Sequence, residues 1–399
     1  MINNKVYLEK LLQSKDDFSV KVITGIRGVG KTKLLHTFAA TLEKSGVSAE
    51  QIIYINFEEQ EEIFDFQQLY EFVSEKIAYL EQAYLLLDEV QRVNGWEKAI
   101  NAFFVGSPVD IYIAGSNSGI LSKKFLHLLS ERYELIKMQS VSFDNYTKII
   151  SDGNSNQIET SFKKYLKFGG LPVVMKSIKN EDILPALLSG MYNTILNKDI
   201  IARYGVRDVS LLNSINKFLA INIGQAITPK VINDYLKSIG FNTTSYTMEN
   251  YLGMIDESGL FKKISRYDIK NKSKINGSER FYCSDLGLRN VLTNFNDLEN
   301  EFLLENILCI KLFQQNYELF IGKIGSMKVN FVALKDSKPM YLQVISTTED
   351  KKRLKKALNA LQRIQDQYDK IILTMDYPKI NDYNGIKVLN IFDFIIDDI

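Results

Sequence analysis

The sequence predicts an α/β protein: a parallel sheet wound on both faces by helices, with a helical region and a second α/β region behind it. Three observations lead there. Through the first 140 residues short strands alternate with helical stretches, the strands falling at 20–24, 51–57, 83–88, 110–115 and 133–138. These strands are runs of Ile, Val, Leu and Tyr, the composition of strands covered on both faces. The first of them leads directly into a glycine-rich stretch that opens a helix, an arrangement suited to holding an anion.

The elements follow in order. Helices are expected at 31–44 and 69–80, between the strands they connect. The run Ser151-Asp152-Gly153-Asn154-Ser155-Asn156 is polar and turn-forming, a boundary between regions. Helices follow as far as about residue 204, interrupted by Gly169-Gly170-Leu171-Pro172. Three more are expected at 210–221, 229–238 and 245–257. Thr228-Pro229 serves as an N-cap with Pro in the first turn, and Asn242-Thr243-Thr244 precedes the third helix. Strands at 260–267 and 280–283 then pair across a polar loop, completing the outline of a winged helix-turn-helix. Residues 298–399 read helix, three strands, helix, two strands and a short helix. The expected regions are therefore 1–150, a helical lid at 151–207, a winged helix-turn-helix at 208–290, and a terminal α/β domain at 297–399.

Composition narrows the function classes. Of 399 residues, 45% are hydrophobic and 24% charged, as in globular proteins generally. A formal charge of +1 creates no global field, so any nucleic-acid contact must rest on a local basic patch. Two cysteines, Cys283 and Cys309, make no disulfide framework and point to a reducing compartment. His36 and His127 stand far apart with no cysteine nearby, which argues against zinc. The N-terminus leads into an amphipathic segment rather than a signal sequence. No apolar run approaches the roughly 18 residues that span a bilayer. A cytoplasmic location is expected, without a membrane partner.

The strongest chemical signal is Gly25-Ile26-Arg27-Gly28-Val29-Gly30-Lys31-Thr32, followed by Lys33, which satisfies the phosphate-loop pattern G-x-x-x-x-G-K-[ST]. Its glycines allow backbone N–H groups to turn inward around phosphates. Lys31 is placed to reach the β- and γ-phosphates of ATP, and the Thr32 hydroxyl to hold Mg²⁺. The helix that follows points its positive end at the anion. A second signal is Tyr84-Leu85-Leu86-Leu87-Asp88-Glu89, an apolar strand ending in two acids. Asp88 suits Mg²⁺ coordination through water, and Glu89 suits polarising the attacking water as a general base. The next strand ends in Ser116-Asn117. In ATPases with an additional strand, that strand lies between the phosphate loop and the acidic pair, and its terminal polar residue senses the γ-phosphate. Ser116 and Asn117 both qualify for that role, and both are also ordinary turn formers.

On these residues the chain resembles the bacterial and archaeal AAA-family ATP-binding proteins that join an N-terminal ATPase to a C-terminal domain of unknown function. The resemblance rests on residues 25–32, 85–91 and 114–117, on Arg132-Tyr133, and on 165–172, 322–333 and 341–344, and so runs through nearly the whole chain. The Phe168-Gly169-Gly170-Leu171-Pro172 stretch and the tail discriminate best, because many families share the ATPase motifs. The resemblance implies an AAA+ P-loop core, a helical lid, a winged helix and a terminal domain of restriction-endonuclease-like fold. It also implies a role for Arg132, at the end of an expected helix 120–131. AAA+ proteins carry at that junction an arginine that reaches a neighbour's γ-phosphate, which presupposes a homo-oligomer. A cation favouring a helix C-terminus is the other reading.

Two further regions invite functional readings. The wing carries Lys262, Lys263, Arg266, Lys270, Lys272, Lys274 and Arg280, enough to hold DNA phosphates. The helix before it, Tyr246-Thr247-Met248-Glu249-Asn250-Tyr251, offers no Arg or Lys to base edges, so phosphate contact is favoured over sequence reading. A solvated lysine-rich loop, or a protein partner, would use the same residues. In the tail, a nuclease of the implied fold needs two carboxylates and a lysine near one strand pair. This chain shows Lys328, Asn330, Gln343 and Ile345 at the corresponding places, with Glu305 alone on the preceding helix, so cleavage by this domain is not expected. The cluster Lys351-Lys352-Arg353-Leu354-Lys355-Lys356 opens the following helix, either as a phosphate-attracting patch or as a solvated face. The function expected is an ATP-driven switch that moves the winged helix and tail. A nucleotide-gated DNA- or protein-binding module with slow hydrolysis is the alternative.

Overall fold

A computed structural model describes residues 2–17, 19–60, 62–116, 120, 125, 129, 132–150, 158–296 and 301–396. The chain divides into two compact units: residues 1–139 with 257–259, and residues 140–256 with 260–399. The expected turn-rich boundary at 151–156 and most of the expected helix 120–131 lie outside the described residues. No described helix is long and apolar enough to cross a membrane.

The first unit opens with helix α1 (Ile2–Gln13) and continues as β1 (Val20–Thr24), α2 (Lys31–Lys44), β2 (Ile52–Asn56), α3 (Phe66–Ile77), β3 (Ala83–Asp88), α4 (Trp96–Gly106), β4 (Val109–Gly115) and β5 (Tyr133–Lys137). All five strands are parallel and lie in the order β2-β3-β4-β1-β5. Strands β1 and β3 are buried at every position, which is why their sequences lack polar alternation. The start of α3 is capped: Asp65 accepts from the N–H groups of Gln67 and Gln68 while Gln68 reaches back, a capping box. One face of the sheet packs Leu85, Leu87, Ile111 and Ile113 against Trp96, Ile100 and Phe103 of α4.

Beneath the amino ends of the strands lies a buried ionic knot. Lys21, wholly buried, donates to Asp110 at 2.6 Å and to the Asp17 carbonyl at 3.1 Å. The remaining Asp110 oxygen accepts from the Tyr112 hydroxyl at 2.7 Å and the Asp16 N–H at 2.9 Å. Both Asp110 oxygens and the Lys21 ammonium have hydrogen-bond partners, the condition under which a buried charge pair persists.

The second unit begins with α5 (Phe143–Ile150), α6 (Ile158–Phe168), α7 (Pro172–Ser177) and α8 (Leu184–Thr194), the last running on through a π-helical stretch, Ile195–Ile201. Then come α9 (Val209–Ile221), α10 (Pro229–Ser238), α11 (Ser245–Ser258), β6 (Phe261–Asp268), β7 (Ser273–Cys283) and α12 (Leu286–Leu292). The end of the chain is α13 (Phe302–Gln314), β8 (Glu318–Ile324), β9 (Met327–Lys335), β10 (Lys338–Val344), α14 (Lys351–Gln362), β11 (Lys370–Thr374), β12 (Asp382–Tyr383), β13 (Ile386–Asn390) and α15 (Ile391–Ile396). Strand β7 begins seven residues before the expected 280, because Ser273, Lys274 and Ile275 pair with Asp268, Tyr267 and Arg266 of β6 in a stretch that is mostly polar in sequence.

A hub at α12 binds the helical part together. Asp285 accepts from Gly170 N–H at 2.8 Å and from Gly287 N–H at 2.9 Å. Asn290 donates to the Leu166 and Lys167 carbonyls at the end of α6, and the fully buried Arg289 donates to the Ala220 carbonyl near the end of α9. Helix ends left without partners inside the protein would be costly, and these side chains supply them. A Cβ at Gly170 would stand 2.2 Å from the Val141 carbonyl oxygen, so only glycine fits that turn. Strands β6 to β13 form one eight-stranded sheet, ordered β12-β13-β11-β10-β9-β8-β6-β7. Strand β6 pairs in parallel with β8, Arg266 opposite Ile321.

Candidate functional site: a phosphate loop facing a buried acidic pair

The parallel order brings the carboxyl ends of β1, β4 and β3 side by side. Thr24 pairs with Gly115, and Ala114 with Asp88, so the loop after β1, Ser116 after β4 and Glu89 after β3 leave the sheet at one level. The expectation that the fourth strand lies between the loop and the acidic pair holds.

The loop is shaped by glycine. Gly25, Gly28 and Gly30 have φ of 155°, 83° and 104°. A Cβ on Gly25 would meet the Met138 carbonyl oxygen at 2.6 Å, so a side chain there would displace the loop from β5. Ile26 and Val29 are buried and anchor it. Gly30 is the N-cap of α2, with no side-chain cap, leaving the first N–H groups of that helix for an anion. Lys31 is 5% exposed and folds back on the loop, donating to the carbonyls of Gly25 at 2.9 Å and Ile26 at 3.3 Å. A triphosphate entering the loop offers this ammonium stronger, charged acceptors.

Asp88 is wholly buried. Burial pushes its carboxyl above the usual range, opposed by a hydrogen bond from the Thr32 hydroxyl. The Tyr54 hydroxyl stands 3.4 Å from Oδ2, while Oδ1 has no hydrogen-bond partner. A buried acceptor without a protein partner is a place where a ligand or ion can be held. Mg²⁺ takes hard oxygen ligands and typically binds through one or two carboxylates, water and substrate phosphates. The orphaned Oδ1 of Asp88 and the neighbouring Thr32 hydroxyl are donors of that kind, and they fit it.

Glu89, 6% exposed, has φ 55° and ψ 37°, a left-handed conformation that stores on the order of 1–3 kcal/mol of strain in a residue with a side chain. This turn sends its carboxylate back into the site. Oε2 accepts from Gln91 Nε2 at 2.6 Å and from Ser116 Oγ at 3.2 Å, with Arg27 Nη2 at 3.9 Å. Arg27 itself donates to Glu58 at 3.0 Å, and Arg92 donates to the same Glu58 oxygen at 3.2 Å. The sequence-derived set Lys31, Thr32, Asp88, Glu89 and Ser116 is thus assembled in one place, with Arg27 and Lys33 lining the same pocket. Asn117 lies outside the described residues. Arg132 does not join them. It is exposed, its guanidinium lies 4.8 Å from the Phe104 ring centroid, and its carbonyl accepts from Val20 N–H at the amino end of β1. The length of β1, roughly 16 Å, separates it from the loop of its own chain.

Glu58, Gln91, Arg92, Tyr54 and His36 were not anticipated. His36 packs against Tyr54 with ring centroids 4.4 Å apart and lines the pocket with Thr37 and Ala40. The signal for Glu58 was present, since it follows β2 as Glu89 follows β3, and ligand sites in parallel sheets gather at carboxyl strand ends.

Elsewhere, the basic β6–β7 hairpin is partly neutralised. Lys263 pairs with Glu279 at 3.4 Å and Lys274 with Glu318 at 2.9 Å, while Lys270 and Lys272 sit exposed in the β6–β7 turn. In the terminal sheet, Glu305 is held on both oxygens: Oε1 accepts from Asn330 Nδ2 at 2.6 Å, and Oε2 from Arg280 at 2.8 Å and from the Tyr282 hydroxyl.

Comparison with known proteins agrees with this geometry. Residues 17–147 match the family described as an AAA domain, and residues 159–299 match a domain of unknown function, which covers the helices and hairpin and stops before the terminal strands. A Walker-type ATPase of Pyrococcus abyssi has a similar fold, with a TM-score of 0.52, 15% identity, and coverage of 73% of this chain and 96% of that one. An uncharacterized protein of Methanocaldococcus jannaschii is 21% identical across 90% of this chain and 82% of its own length. An uncharacterized protein of Haemophilus influenzae is 34% identical over 99% of both chains. The chain belongs to the family of that Haemophilus influenzae protein, and its N-terminal unit is an AAA domain of the P-loop ATPase fold.

Proposed function

We propose that the protein binds Mg·ATP at the loop Gly25 to Thr32, hydrolyses it with Glu89 as general base, and works as a switch acting on residues 151–399. Asp88 carries the reading: a wholly buried carboxylate with one oxygen unmatched, beside Thr32, at the start of a helix whose amides lack a side-chain cap. Mg²⁺ held there would neutralise charge on the transferring phosphoryl group. Lys31 exchanges its two carbonyl partners for phosphate oxygens. Ser116, hydrogen-bonded to Glu89, couples the base to whatever occupies the γ-position, and Asn117, next in sequence, is the other candidate for sensing it. Arg132, remote from its own loop, would act on a neighbouring copy, which makes a homo-oligomer part of the proposal. In the second unit, 151–207 would be the lid, 208–290 a winged helix-turn-helix, and 297–399 a domain of restriction-endonuclease-like fold without cleavage activity. The wing residues Lys262, Lys263, Arg266, Lys270, Lys272 and Lys274 would meet DNA phosphates.

The deciding experiment is Glu89→Gln. Nucleotide binding should survive, while turnover falls by about 10²–10⁴, the contribution of a positioned base. Hydrolysis at the wild-type rate would remove Glu89 from the mechanism.

One observation favours a second reading, a nucleotide-gated DNA- or protein-binding module with slow hydrolysis. Glu89 Oε2 already accepts from Gln91 and Ser116, so proton transfer is left to Oε1 alone unless those donors release Oε2. Turnover that rises severalfold with duplex DNA, and loses that rise as salt increases, would mark release by a nucleic-acid partner.

A further inference from the structure

The second unit contains a cavity of about 560 Å³, within the usual range of small-ligand sites, that no step of the ATPase proposal uses. It lies at the carboxyl end of β10, where Val344, Ile345 and Ser346 lead toward α14. Strand β10 runs parallel to β11 through α14 on one side and antiparallel to β9 on the other. Ligand crevices in α/β sheets gather beyond the carboxyl ends of the strands, which is where this one lies.

Its charges do not cancel. Among the described residues, four cations, Arg280, Lys328, Arg353 and Lys356, line it with two carboxylates, Glu301 and Glu305, giving a formal balance of +2. Arg353 is taken by Glu301 at 2.6 Å, and Arg280 by Glu305 at 2.8 Å. Lys328 and Lys356 make no ion pair with any described residue, and they reach the cavity from two different elements, β9 and α14. Glu305 cannot turn toward a cation without giving up Arg280, Tyr282 and Asn330. The floor is stiff: Gln343 Nε2 donates to the Lys328 carbonyl at 2.9 Å, and Asn330 Oδ1 accepts from Val344 N–H at 3.2 Å. The exit of β10 is clamped as well, Asp376 accepting from Thr348 N–H at 3.0 Å and Thr347 Oγ at 3.2 Å. Hydroxyls of Ser326 and Ser346 and the apolar surface of Ala357 and Ala360 complete the lining.

We propose that this cavity is a phosphate site, in which Lys328 and Lys356 grip the phosphate of a phosphoester and the remaining volume takes the attached group. The phosphoester is either a free nucleotide-sized molecule or a segment of nucleic-acid backbone. The inference does not rest on the ATPase reading, and it is tested in full-length protein carrying Lys31→Ala, so that the phosphate loop contributes least. The probes are inorganic phosphate, followed by the chemical shifts of the protein, and a short labelled DNA duplex, followed by anisotropy across a salt series. Lys328→Ala with Lys356→Ala should weaken the responding probe about tenfold or more, and for duplex should lower the salt slope by about two. Arginine at both positions should restore binding. A response to duplex identifies backbone, and a response to phosphate alone identifies a free phosphoester. Binding of both probes unchanged in the double alanine variant, with loss only on replacing Lys270 and Lys272, overturns the proposal. So does the absence of any binding by the parent protein. Both lysines are exposed, so the variants should melt as the parent does.

Discussion

Replacing Asp88 by Asn should make the nucleotide-free protein more stable and deaf to Mg·ATP. The wild-type carboxylate is buried with Oδ1 unmatched, and leaving a buried acceptor unsatisfied costs about 1–3 kcal/mol. An amide of the same shape removes the charge and keeps an oxygen for Thr32. For a unit of this size about 3 °C accompanies each kcal/mol, so the apo melting temperature should rise by roughly 3–9 °C. The pH dependence has a definite sign. Burial raises the Asp88 pKa above its unfolded value, so the native state holds its proton more tightly. The stabilisation that protonation gives is complete below the unfolded pKa of 3.8 and is lost as pH rises through the folded value. The gap between variant and wild type should therefore be widest at neutral pH and close as pH falls toward 4. At a hundredfold excess over Kd, Mg·ATP should add about 2.7 kcal/mol, or roughly 8 °C, to the wild type and little to the variant. Differential scanning calorimetry with and without Mg·ATP reads both numbers. An apo variant that melts no higher than wild type, or that keeps the full Mg·ATP shift, refutes the reasoning.

Lys21→Met should destabilise the first unit by about 3–5 kcal/mol, because Asp110 is then buried with only the Tyr112 hydroxyl and the Asp16 N–H for company. Adding Asp110→Leu should return much of that loss in urea unfolding, and a double variant as weak as the single would contradict the pairing. Arg132→Ala should leave ATP affinity intact and cut turnover by up to the 10³–10⁵ that an arginine finger supplies. Mixing it with Lys31→Ala, which still carries Arg132, should restore activity in trans, and failure of that complementation would leave Arg132 as a surface cation stacked on Phe104.

The sheet of the first unit was legible because its strands are buried on both faces and its loop residues have few alternatives. The five expected strands lie within two residues of the observed bounds. The neighbourhood of Glu89 was not legible. That Gln91 turns back to it, that Glu58 gathers Arg27 and Arg92, and that Glu89 takes a left-handed turn all depend on strand order and backbone angle, neither of which has a compositional signature. The tail shows the same division. Loss of acids at Asn330 and Gln343 was readable, but their use as cross-strand clasps, and the joint exposure of Lys328 and Lys356 to one cavity, required β9, β10 and α14 to be placed together. Strand β7 was underestimated because backbone pairing with β6, and not side-chain burial, extends it.

The pairing of β6 with β8 has a mechanical consequence. A hairpin hinged only at its base could swing by itself, whereas this one is stitched by main-chain bonds at Arg266, Tyr267 and Asp268 to the strand that begins the tail. A pull on the hairpin would load β8 through those bonds, and the two strands would move together. A truncation ending near residue 296 would therefore not liberate a self-sufficient helix-and-hairpin fragment. It would bare the flank of β6, offering it to the next chain that arrives.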